Sequence, residues 1–328
     1  MKVAFQWVIK PAIRLHLQQQ LPEITLAFPD NTADDTIIAI QQDAEVIVGV
    51  KLNPEILKST DRLRLFINPG AGAQHLTKGA KALGDQLGFT VVNSHSNAYN
   101  TAQHTVTLTL ALLNKIIPHH QWTKEGKWRT GDKEARSDLI RTKTVGLLGY
   151  GHIAQKVQAM LTPFECELIG FKRTADPTAS IEIYTADQLH EFLERTDVLI
   201  HLLPQTPQTV DLIGANELKL LGAAGYVISM GRGPVINEEA LYGALKTGGL
   251  AGAAIDVWYA YKPEPNAEDR KFPWHFPFND LDNVLLSPHR GGKPFDDPRR
   301  WDDIIENIRI AQRGGSDFLN VVDLEMGY

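Results

Sequence analysis

The chain has little of what marks secreted, membrane or nucleic-acid-binding proteins. Its 328 residues include one cysteine, Cys166, which excludes an internal disulfide framework. No apolar run approaches the ~20 residues that a helix needs to cross a bilayer, and the first apolar segment, residues 3–9, is too short and interrupted for a signal peptide. Lys and Arg number 33 against 39 Asp and Glu, without basic clusters, so nucleic acid is not an expected partner. We therefore expect a soluble, cytoplasmic protein that binds neither membranes nor nucleic acid, and we predict no metal site.

What is present is a regular alternation of short apolar strands and helical segments. The length suits two domains, and strand–helix alternation favours parallel sheets. In the first part, the predicted strands are Lys2–Trp7, Ile24–Phe28, Val46–Val50, Leu63–Ile67 and Thr90–Val92. The predicted helices between them are Pro11–Gln20, Thr32–Ile40, Pro54–Lys58 and Leu76–Leu87.

The second part repeats this alternation. A long helix, Ala98–Ile117, is predicted to lead into it and to stop at Pro118. The predicted strands are Thr144–Leu148, Glu167–Phe171, Val198–His201, Tyr226–Ser229, Ala251–Ile255 and Val284–Leu286. A final helix is predicted at Pro298–Arg313. The stretch Tyr261–Leu281 is rich in Pro, Trp and Phe and has no periodicity, so we predict a long ordered loop, a class that is often functional.

A dinucleotide-binding turn is predicted where the first strand of the second part ends. The strand runs into Gly149-x-Gly151-x-x-Ala154, and a helical pattern follows. Gly149 permits the tight turn, Gly151 lets a pyrophosphate approach the backbone, and Ala154 is small enough for the helix to pack on the strand. The positive end of the helix then faces the phosphates. A merely structural glycine turn is the alternative. The cofactor-binding residues predicted here are Gly149, Gly151, His152 and Ile153.

Two cations stand where NAD-binding sequences usually carry an acid. That acid follows the glycines by ~20 positions and binds the ribose hydroxyls. Here the second strand ends in Lys172-Arg173, and these side chains could pair with the 2′-phosphate of NADP. The pattern favours NADP over NAD, although a pair of solvated strand-end charges is the alternative.

Further motifs give the chain a family resemblance. They are Asn68–Gly72, Asn93–His104, Ile200–Thr209, Ile228–Leu241, Gly249–Trp258 and Leu286–Gly292. In this order and spacing they resemble the D-isomer-specific 2-hydroxyacid dehydrogenases over nearly the whole chain. The motifs are specific for the family and do not identify a substrate.

The resemblance implies a fold and an activity. The fold would be α/β, with two Rossmann-like or flavodoxin-like domains, parallel sheets and an interdomain cleft. Residues 1–97 with 291–328 would bind the substrate, and residues 98–290 the dinucleotide. A hydride would pass between NADP(H), or NAD(H), and a small anionic 2-keto or 2-hydroxy acid of D configuration, in a homodimer. Two alternatives are a nucleotide-sensing binding protein with little catalysis and an enzyme that oxidises formate or phosphite.

Arg232 and His289 are the expected centre of this chemistry. Arg232 lies past a strand in a Gly-flanked loop, where its guanidinium fork can hold a carboxylate and a keto oxygen. His289 follows the last strand after a proline. Because imidazole titrates near neutrality, it can exchange the proton of the hydroxyl group. A turn arginine and a structural histidine are the alternatives.

The family pattern also includes a glutamate that holds this histidine's charge state, within Asp-Val-Phe-x-x-Glu-Pro. This chain departs from the pattern. Its sequence here is Asp256-Val257-Trp258-Tyr259-Ala260, followed by Tyr261-Lys262. The Glu-Pro pair comes three residues late, as Glu264-Pro265. We expect an insertion to restore Glu264 to the site. Glu268, Asp269 or no carboxylate at all are the alternatives.

The remaining site residues follow from the resemblance. Gly70, Ala71 and Gly72 would offer backbone N–H groups to the substrate carboxylate, and Lys51 could reach the same anion. The alternative for Lys51 is a solvated lysine at a strand end. On the cofactor side, the resemblance implies His201, Pro204, Thr206, Met230, Gly231 and Asp256, with Asp256 contacting the nicotinamide amide.

Overall fold

The computed structural model describes residues 1–57, 60–83, 88–128, 135–292, 297–325 and 327. The chain separates into two compact units, one of Met1–Asn97 with Phe295–Tyr328 and one of Ala98–Pro294. Each unit has its own parallel sheet and its own apolar core. The predicted α/β class with two parallel sheets is confirmed.

The first unit contains a five-stranded sheet. Its strands are β1 Lys2–Phe5, β2 Thr25–Ala27, β3 Val46–Val48, β4 Leu65–Ile67 and β5 Thr90–Val92. Its helices up to this point are α1 Pro11–Gln20, α2 Asp34–Gln41, α3 Pro54–Leu57 and α4 Thr77–Leu83. The strand order β2-β1-β3-β4-β5 is of the flavodoxin type. Strands β3 and β4 are buried along their whole length, which explains why they read as unbroken apolar runs.

The second unit contains a seven-stranded sheet. Its strands are β6 Thr144–Leu148, β7 Glu167–Phe171, β8 Glu182–Tyr184, β9 Val198–His201, β10 Tyr226–Ser229, β11 Gly252–Ile255 and β12 Val284–Leu286. Its helices are α5 Ala98–Leu113, α6 Ile116–Lys124, α7 His152–Leu161, α8 Leu189–Glu194, α9 Ala215–Leu221 and α10 Glu238–Lys246. The order β12-β11-β10-β9-β6-β7-β8 is the Rossmann order with one added strand. It reverses between β6 and β9, so the carboxyl ends of these strands form the expected ligand edge.

The last helix of the chain, α11 Asp302–Gln312, belongs to the first unit. Its buried isoleucines Ile304, Ile305 and Ile308 pack in the same core as Val3 and Val48. A short 3₁₀ turn, Pro298–Trp301, precedes it. The predicted final helix is therefore confirmed in position, with a 3₁₀ first turn.

The long entry helix was predicted wrongly at its end. α5 stops at Leu113, and Lys115 takes a left-handed conformation with φ 49°. A second helix begins at Ile116 and carries Pro118 in its first turn. Proline is tolerated there because the first-turn N–H groups have no partner within the helix. Pro118 therefore sits inside a helix and does not stop one.

Other differences are smaller. Strand β8 was not predicted because it has three residues and one buried side chain. The predicted helices Pro54–Lys58 and Leu76–Leu87 run beyond α3 and α4, and positions 58 and 84–87 lie outside the described residues. The stretch 261–281 is confirmed as a loop, with only a 3₁₀ turn at Phe278–Asp280. No described helix is long and apolar enough to span a membrane.

Candidate active site

The turn between β6 and α7 has the geometry of a phosphate-binding loop. Gly149 has φ +104°, and a Cβ there would lie 3.0 Å from the backbone nitrogen of Leu203. Gly151 precedes the first residue of α7, and a Cβ there would meet no protein atom within 4 Å. Packing inside the protein therefore does not require this glycine, whereas close approach of a phosphate would. His152 is exposed and Ile153 half-buried at the start of α7.

Lys172 and Arg173 follow β7 as predicted, but an acid is also present. Lys172 Nζ lies 2.7 Å from Oδ2 of Asp176. Hydrogen bonds from Lys172 and Thr178 lower the pKa of Asp176 to about 2, so this carboxylate is ionised and offsets the lysine charge. Arg173 is exposed. The sequence interpretation missed Asp176 because it looked for the acid at the strand end itself.

His201, the last residue of β9, is fully buried. Its Nε2 lies 3.1 Å from the carbonyl oxygen of Arg232, and the Leu203 N–H donates to Nδ1 at 3.3 Å. Burial lowers the pKa of His201 to about 4, so the ring is neutral near pH 7. This placement favours a supporting role for the ring over the cofactor contact predicted from the sequence.

The segment after β10, Met230–Pro234, is called the arginine loop below. Gly231 is packed so tightly that a Cβ would overlap the carbonyl oxygen of Leu203. Nη1 of Arg232 donates to the Gly231 carbonyl oxygen at 2.7 Å, which fixes one edge of the guanidinium. Burial lowers the pKa of Arg232, but an arginine remains protonated in proteins. The loop thus holds a half-buried cation at the ligand edge of the sheet.

The segment after β12, Ser287–Gly292, is called the histidine loop. The carboxylate of Asp256, which is 2% exposed, holds this loop. It accepts the backbone N–H groups of Arg290 at 2.7 Å and Gly291 at 2.9 Å, and also the Ser287 hydroxyl. His289 lies between these anchors, in a left-handed conformation with φ 53°.

The Asp256 carboxylate has a further neighbour in α5. His104 Nε2 lies 3.0 Å from Ser287 Oγ and 3.6 Å from Asp256 Oδ1. Burial raises the pKa of Asp256, but the hydrogen bonds from His104, Ser287 and the two backbone N–H groups outweigh burial, and the pKa falls well below its usual range. Asp256 is therefore an ionised anchor of the histidine loop. The geometry favours this role over the predicted contact with a nicotinamide amide.

Tyr261 contacts the histidine loop through its ring. Its ring meets the His289 imidazole edge to face, with centroids 5.3 Å apart and planes at 64°. Burial raises the pKa of its hydroxyl, and the nearby Arg232 cation opposes that shift. Tyr261 therefore contacts His289 and lies close enough to Arg232 to be influenced by its charge, and the roles of Arg232 and His289 stay predictions.

Glu264 does not reach this site. It is exposed, and no hydrogen bond or ion pair joins it to His289. Glu268, the next alternative, pairs with Arg270, and Asp269 is exposed. The expectation that an insertion restores Glu264 is therefore wrong. Glu264 lies in the loop that follows Tyr261 and is exposed to solvent.

The other residues predicted to bind the cofactor, Pro204, Thr206 and Met230, lie in two closely packed segments. Thr206 is buried, and its N–H donates to Thr209 Oγ1, which in turn donates to the Pro204 carbonyl oxygen. Met230 is 4% exposed and lies against the histidine loop, since a Cβ on Gly291 would come within 2.8 Å of its terminal methyl. These segments line the carboxyl ends of β9 and β10.

In the first unit, the loop after β4 is built to expose backbone N–H groups. Asn68 Nδ2 donates to the carbonyl oxygens of Gly70 and Gly72, and Asn93 Nδ2 to that of Ala71. The N–H groups of these three loop residues meet no acceptor among the described residues. The Lys51 side chain forms an ion pair with Asp34, with Nζ 3.4 Å from Oδ1.

Within the described ranges, no three His, Cys, Asp or Glu side chains cluster so as to hold a metal ion. The site consists of a phosphate-binding turn, a cation, an imidazole and a tyrosine.

Comparison with known proteins places these features in a family. The family described as D-isomer-specific 2-hydroxyacid dehydrogenase, NAD-binding domain, matches residues 106–291, which is more than half of the chain. Glyoxylate reductase of Thermococcus gammatolerans is 28% identical over 84% of this chain and 81% of the relative. D-3-phosphoglycerate dehydrogenase of Methanocaldococcus jannaschii is 28% identical over 83% of this chain, which spans only 51% of that relative.

Solved structures agree on the fold. A D-isomer-specific 2-hydroxyacid dehydrogenase of Xanthobacter autotrophicus, in complex with NADPH and MES, has a TM-score of 0.79 at 24% identity and covers 100% of this chain and 99% of that one. A probable 2-hydroxyacid dehydrogenase of Rhizobium etli, in complex with NADP, HEPES and tartaric acid, has a TM-score of 0.78 at 24% identity, with 100% and 99% covered. With the family match over more than half of its length, the chain belongs to the D-isomer-specific 2-hydroxyacid dehydrogenases and is an NAD(P)-dependent oxidoreductase.

Proposed function

We propose that this protein reduces a small 2-keto acid to the D-2-hydroxy acid with NADPH, and catalyses the reverse oxidation with NADP. The observation that carries the proposal is that Tyr261 contacts His289 and is influenced by the charge of Arg232, at the carboxyl ends of strands in the sheet that carries the dinucleotide turn. The nucleotide-sensing alternative is less favoured because both chemical groups are present and the relatives that match are named as reductases and dehydrogenases.

Arg232 would hold the substrate. One edge of its guanidinium is fixed on the Gly231 carbonyl oxygen, and the other donors remain to bind a carboxylate and the keto oxygen. Such a fork orients the carbonyl carbon and stabilises the negative charge that grows on its oxygen.

His289 would exchange the proton. When bound, the nicotinamide supplies the hydride to C2. As negative charge develops on the keto oxygen, the protonated imidazole gives it a proton, and in oxidation the neutral ring takes it back. The Asp256 anchors on either side of His289 keep the ring in place for both steps.

The loop Gly70–Gly72 is the proposed carboxylate-binding element of the first unit. Asn68 and Asn93 occupy its carbonyl oxygens, which leaves the N–H groups for an anion. Lys51 is a weaker candidate, because Asp34 already pairs with it.

Arg173 is the proposed determinant of NADP preference. Arg173 is exposed just after β7, and its planar guanidinium suits two-point binding of the 2′-phosphate. Arg173→Ala should weaken NADPH binding more than NADH binding, and Asp176→Asn should strengthen NADPH binding by releasing Lys172. Equal NADH and NADPH constants in the unmodified enzyme would contradict the preference.

A steady-state assay tests the function. NADPH oxidation is followed with glyoxylate, hydroxypyruvate and pyruvate, and NADP reduction with formate, for the wild type and His289→Ala. We expect turnover with at least one keto acid and a loss in His289→Ala of about 10²- to 10⁴-fold in kcat, with NADPH binding kept. Tight NADPH binding without turnover on any substrate would favour the sensing protein instead.

A homodimer in the cytoplasm is also proposed, on the family resemblance alone. Sedimentation velocity of the purified protein would show whether it sediments as a dimer or a monomer.

A further inference from the structure

Tyr150 lies between the two glycines of the dinucleotide turn, yet its side chain is buried against β7. It is 4% exposed, and a Cβ on Gly170 would come within 3.1 Å of its ring. Its backbone N–H donates to the Phe171 carbonyl oxygen at 2.8 Å. Tyr150 therefore joins the turn to the strand whose end carries Lys172 and Arg173.

The segment between β7 and β8, residues 172–181, is called the β7–β8 loop below. Side-chain hydrogen bonds within it are local. Lys172 Nζ donates to Asp176 Oδ2 at 2.7 Å, and the Thr178 hydroxyl donates to Asp176 Oδ1 at 2.7 Å. These bonds fix the shape of the loop, whereas its position against α7 depends on other contacts.

A hydrogen-bonded bridge joins Tyr150 to this loop through α7. The Tyr150 hydroxyl donates to Gln158 Oε1, and Gln158 Nε2 donates to Ser180 Oγ at 2.7 Å. An open cavity of about 410 Å³ lies beside the bridge, between α7 and the loop. Close packing does not fill this space, so the bridge fixes the position of the loop together with the apolar contact of Ala179.

The Tyr150 hydroxyl remains a hydrogen-bond donor near neutral pH. Burial raises its pKa and the Asp176 carboxylate raises it further, whereas Ser180 and Lys172 oppose the shift. The hydroxyl is therefore neutral at pH 7, and the bridge is intact there. The same influences show that the hydroxyl lies near both charged groups of the β7–β8 loop.

We propose that Tyr150 is a positioning residue for the 2′-phosphate of the cofactor. Through Gln158 and Ser180 it holds the β7–β8 loop, and with it Arg173, at a fixed distance from the dinucleotide turn. The turn would bind the pyrophosphate and the loop the 2′-phosphate. A loop that is already in place loses less freedom when the cofactor binds, and so binds it more tightly. This inference rests on the proposed preference for NADP.

Binding of cofactor fragments tests the bridge without turnover. Adenosine 2′,5′-bisphosphate carries the 2′-phosphate and 5′-AMP does not, and isothermal titration calorimetry gives the Kd of each. Tyr150→Phe keeps the ring and removes one hydrogen bond, so we expect the Kd of the bisphosphate to rise by about 3- to 10-fold and that of 5′-AMP to stay unchanged. Gln158→Met should have the same effect. The double variant should lose little more than either single one, because both act through one bridge.

Two further variants complete the experiment. Tyr226→Phe removes another buried tyrosine hydroxyl, bonded to Asp138 at 2.5 Å, at the opposite end of the strands from the dinucleotide turn. It should change neither Kd. Ser180→Ala breaks the bridge at an exposed position and should weaken binding of the bisphosphate by about 3-fold. It tests the bridge even where Tyr150→Phe does not fold.

The outcomes keep the two proposals apart, since a lack of keto-acid turnover affects neither Kd. A wild type that binds the bisphosphate no more tightly than 5′-AMP would refute the NADP preference, and this inference with it. A wild type that prefers the bisphosphate, with the preference kept in Tyr150→Phe, Gln158→Met and Ser180→Ala, would overturn only the positioning role. Equal weakening of both fragments would also overturn it, because the damage would then lie in the turn itself.

Discussion

The arginine loop and the histidine loop follow strands of the same sheet, yet they are held in place by different forces. The arginine loop is held by shape, because Gly231 has no room for a Cβ and a neutral, buried His201 fills the space beneath it. The histidine loop is held by charge, because the buried Asp256 carboxylate accepts hydrogen bonds from two of its N–H groups and one hydroxyl. A loop held by shape should fail when volume or burial is disturbed, and a loop held by charge should fail when the charge is removed.

The largest expected effect concerns the histidine beneath the arginine loop. The pKa of His201 in the folded protein is about 4, below its unfolded value of ~6.5. Between these pH values the unfolded chain binds a proton at this histidine and the folded chain does not. The stability from this site is complete above pH 6.5 and is lost as pH falls to 4, about 3 kcal/mol in all. Urea unfolding from pH 7.5 to 4.5 should show this loss in the wild type. His201→Gln should show a shallower slope, and His120→Gln, at an exposed position, the wild-type slope.

The next largest effect should come from filling the space at Gly231. Gly231→Ala would push the loop away from Leu203 and displace Arg232, and a 1 Å misplacement can cost ~10²-fold in rate. We expect kcat/KM to fall by about 100-fold. Gly243→Ala, in α10 where a Cβ meets nothing within 4 Å, is the control. A Gly231→Ala enzyme as active as Gly243→Ala would show that shape does not hold this loop.

Removal of the charge that holds the histidine loop should have a smaller effect. Asp256→Asn keeps the size of the side chain but turns an amide towards groups that need an acceptor. We expect kcat to fall by about 10-fold while NADPH affinity changes little, because the loop that carries His289 is loosened. Asp187→Asn, at an exposed aspartate, is the control. Loss of NADPH affinity with unchanged kcat would instead support the nicotinamide contact predicted from the sequence.

The smallest expected effect is at Glu264. Since Glu264 is exposed and does not contact His289, Glu264→Gln should leave the pH dependence of kcat/KM for reduction unchanged. A high-pH limit displaced to lower pH in this variant would restore Glu264 as the partner of the histidine.

The two loops also differ in how much the sequence revealed. The arginine loop is readable because its requirements are local: a buried strand, two glycines and one cation within a few residues. The dinucleotide turn and most strands were predicted for the same reason. The support of the histidine loop is not local, since Asp256, Ser287 and His104 come from distant segments and meet only in the fold. Asp176 and Tyr261 were missed for the same reason, because the ion pair of Asp176 with Lys172 and the ring contact of Tyr261 with His289 depend on distances in the fold. Pro118 was interpreted wrongly because a proline can either end a helix or stand in the first turn of the next one, and the sequence does not separate the two cases.

The backbone conformation of His289 lowers the stability of the protein at a residue that is proposed to act in catalysis. Its backbone lies in the left-handed region with φ 53°, where a side chain costs about 1 kcal/mol or more relative to glycine. His289→Gly should therefore relieve the backbone strain while it removes the proposed proton donor, so selection for thermal tolerance alone would favour the less active protein. A thermostable variant of this enzyme is better sought away from the histidine loop, at positions such as Gly243.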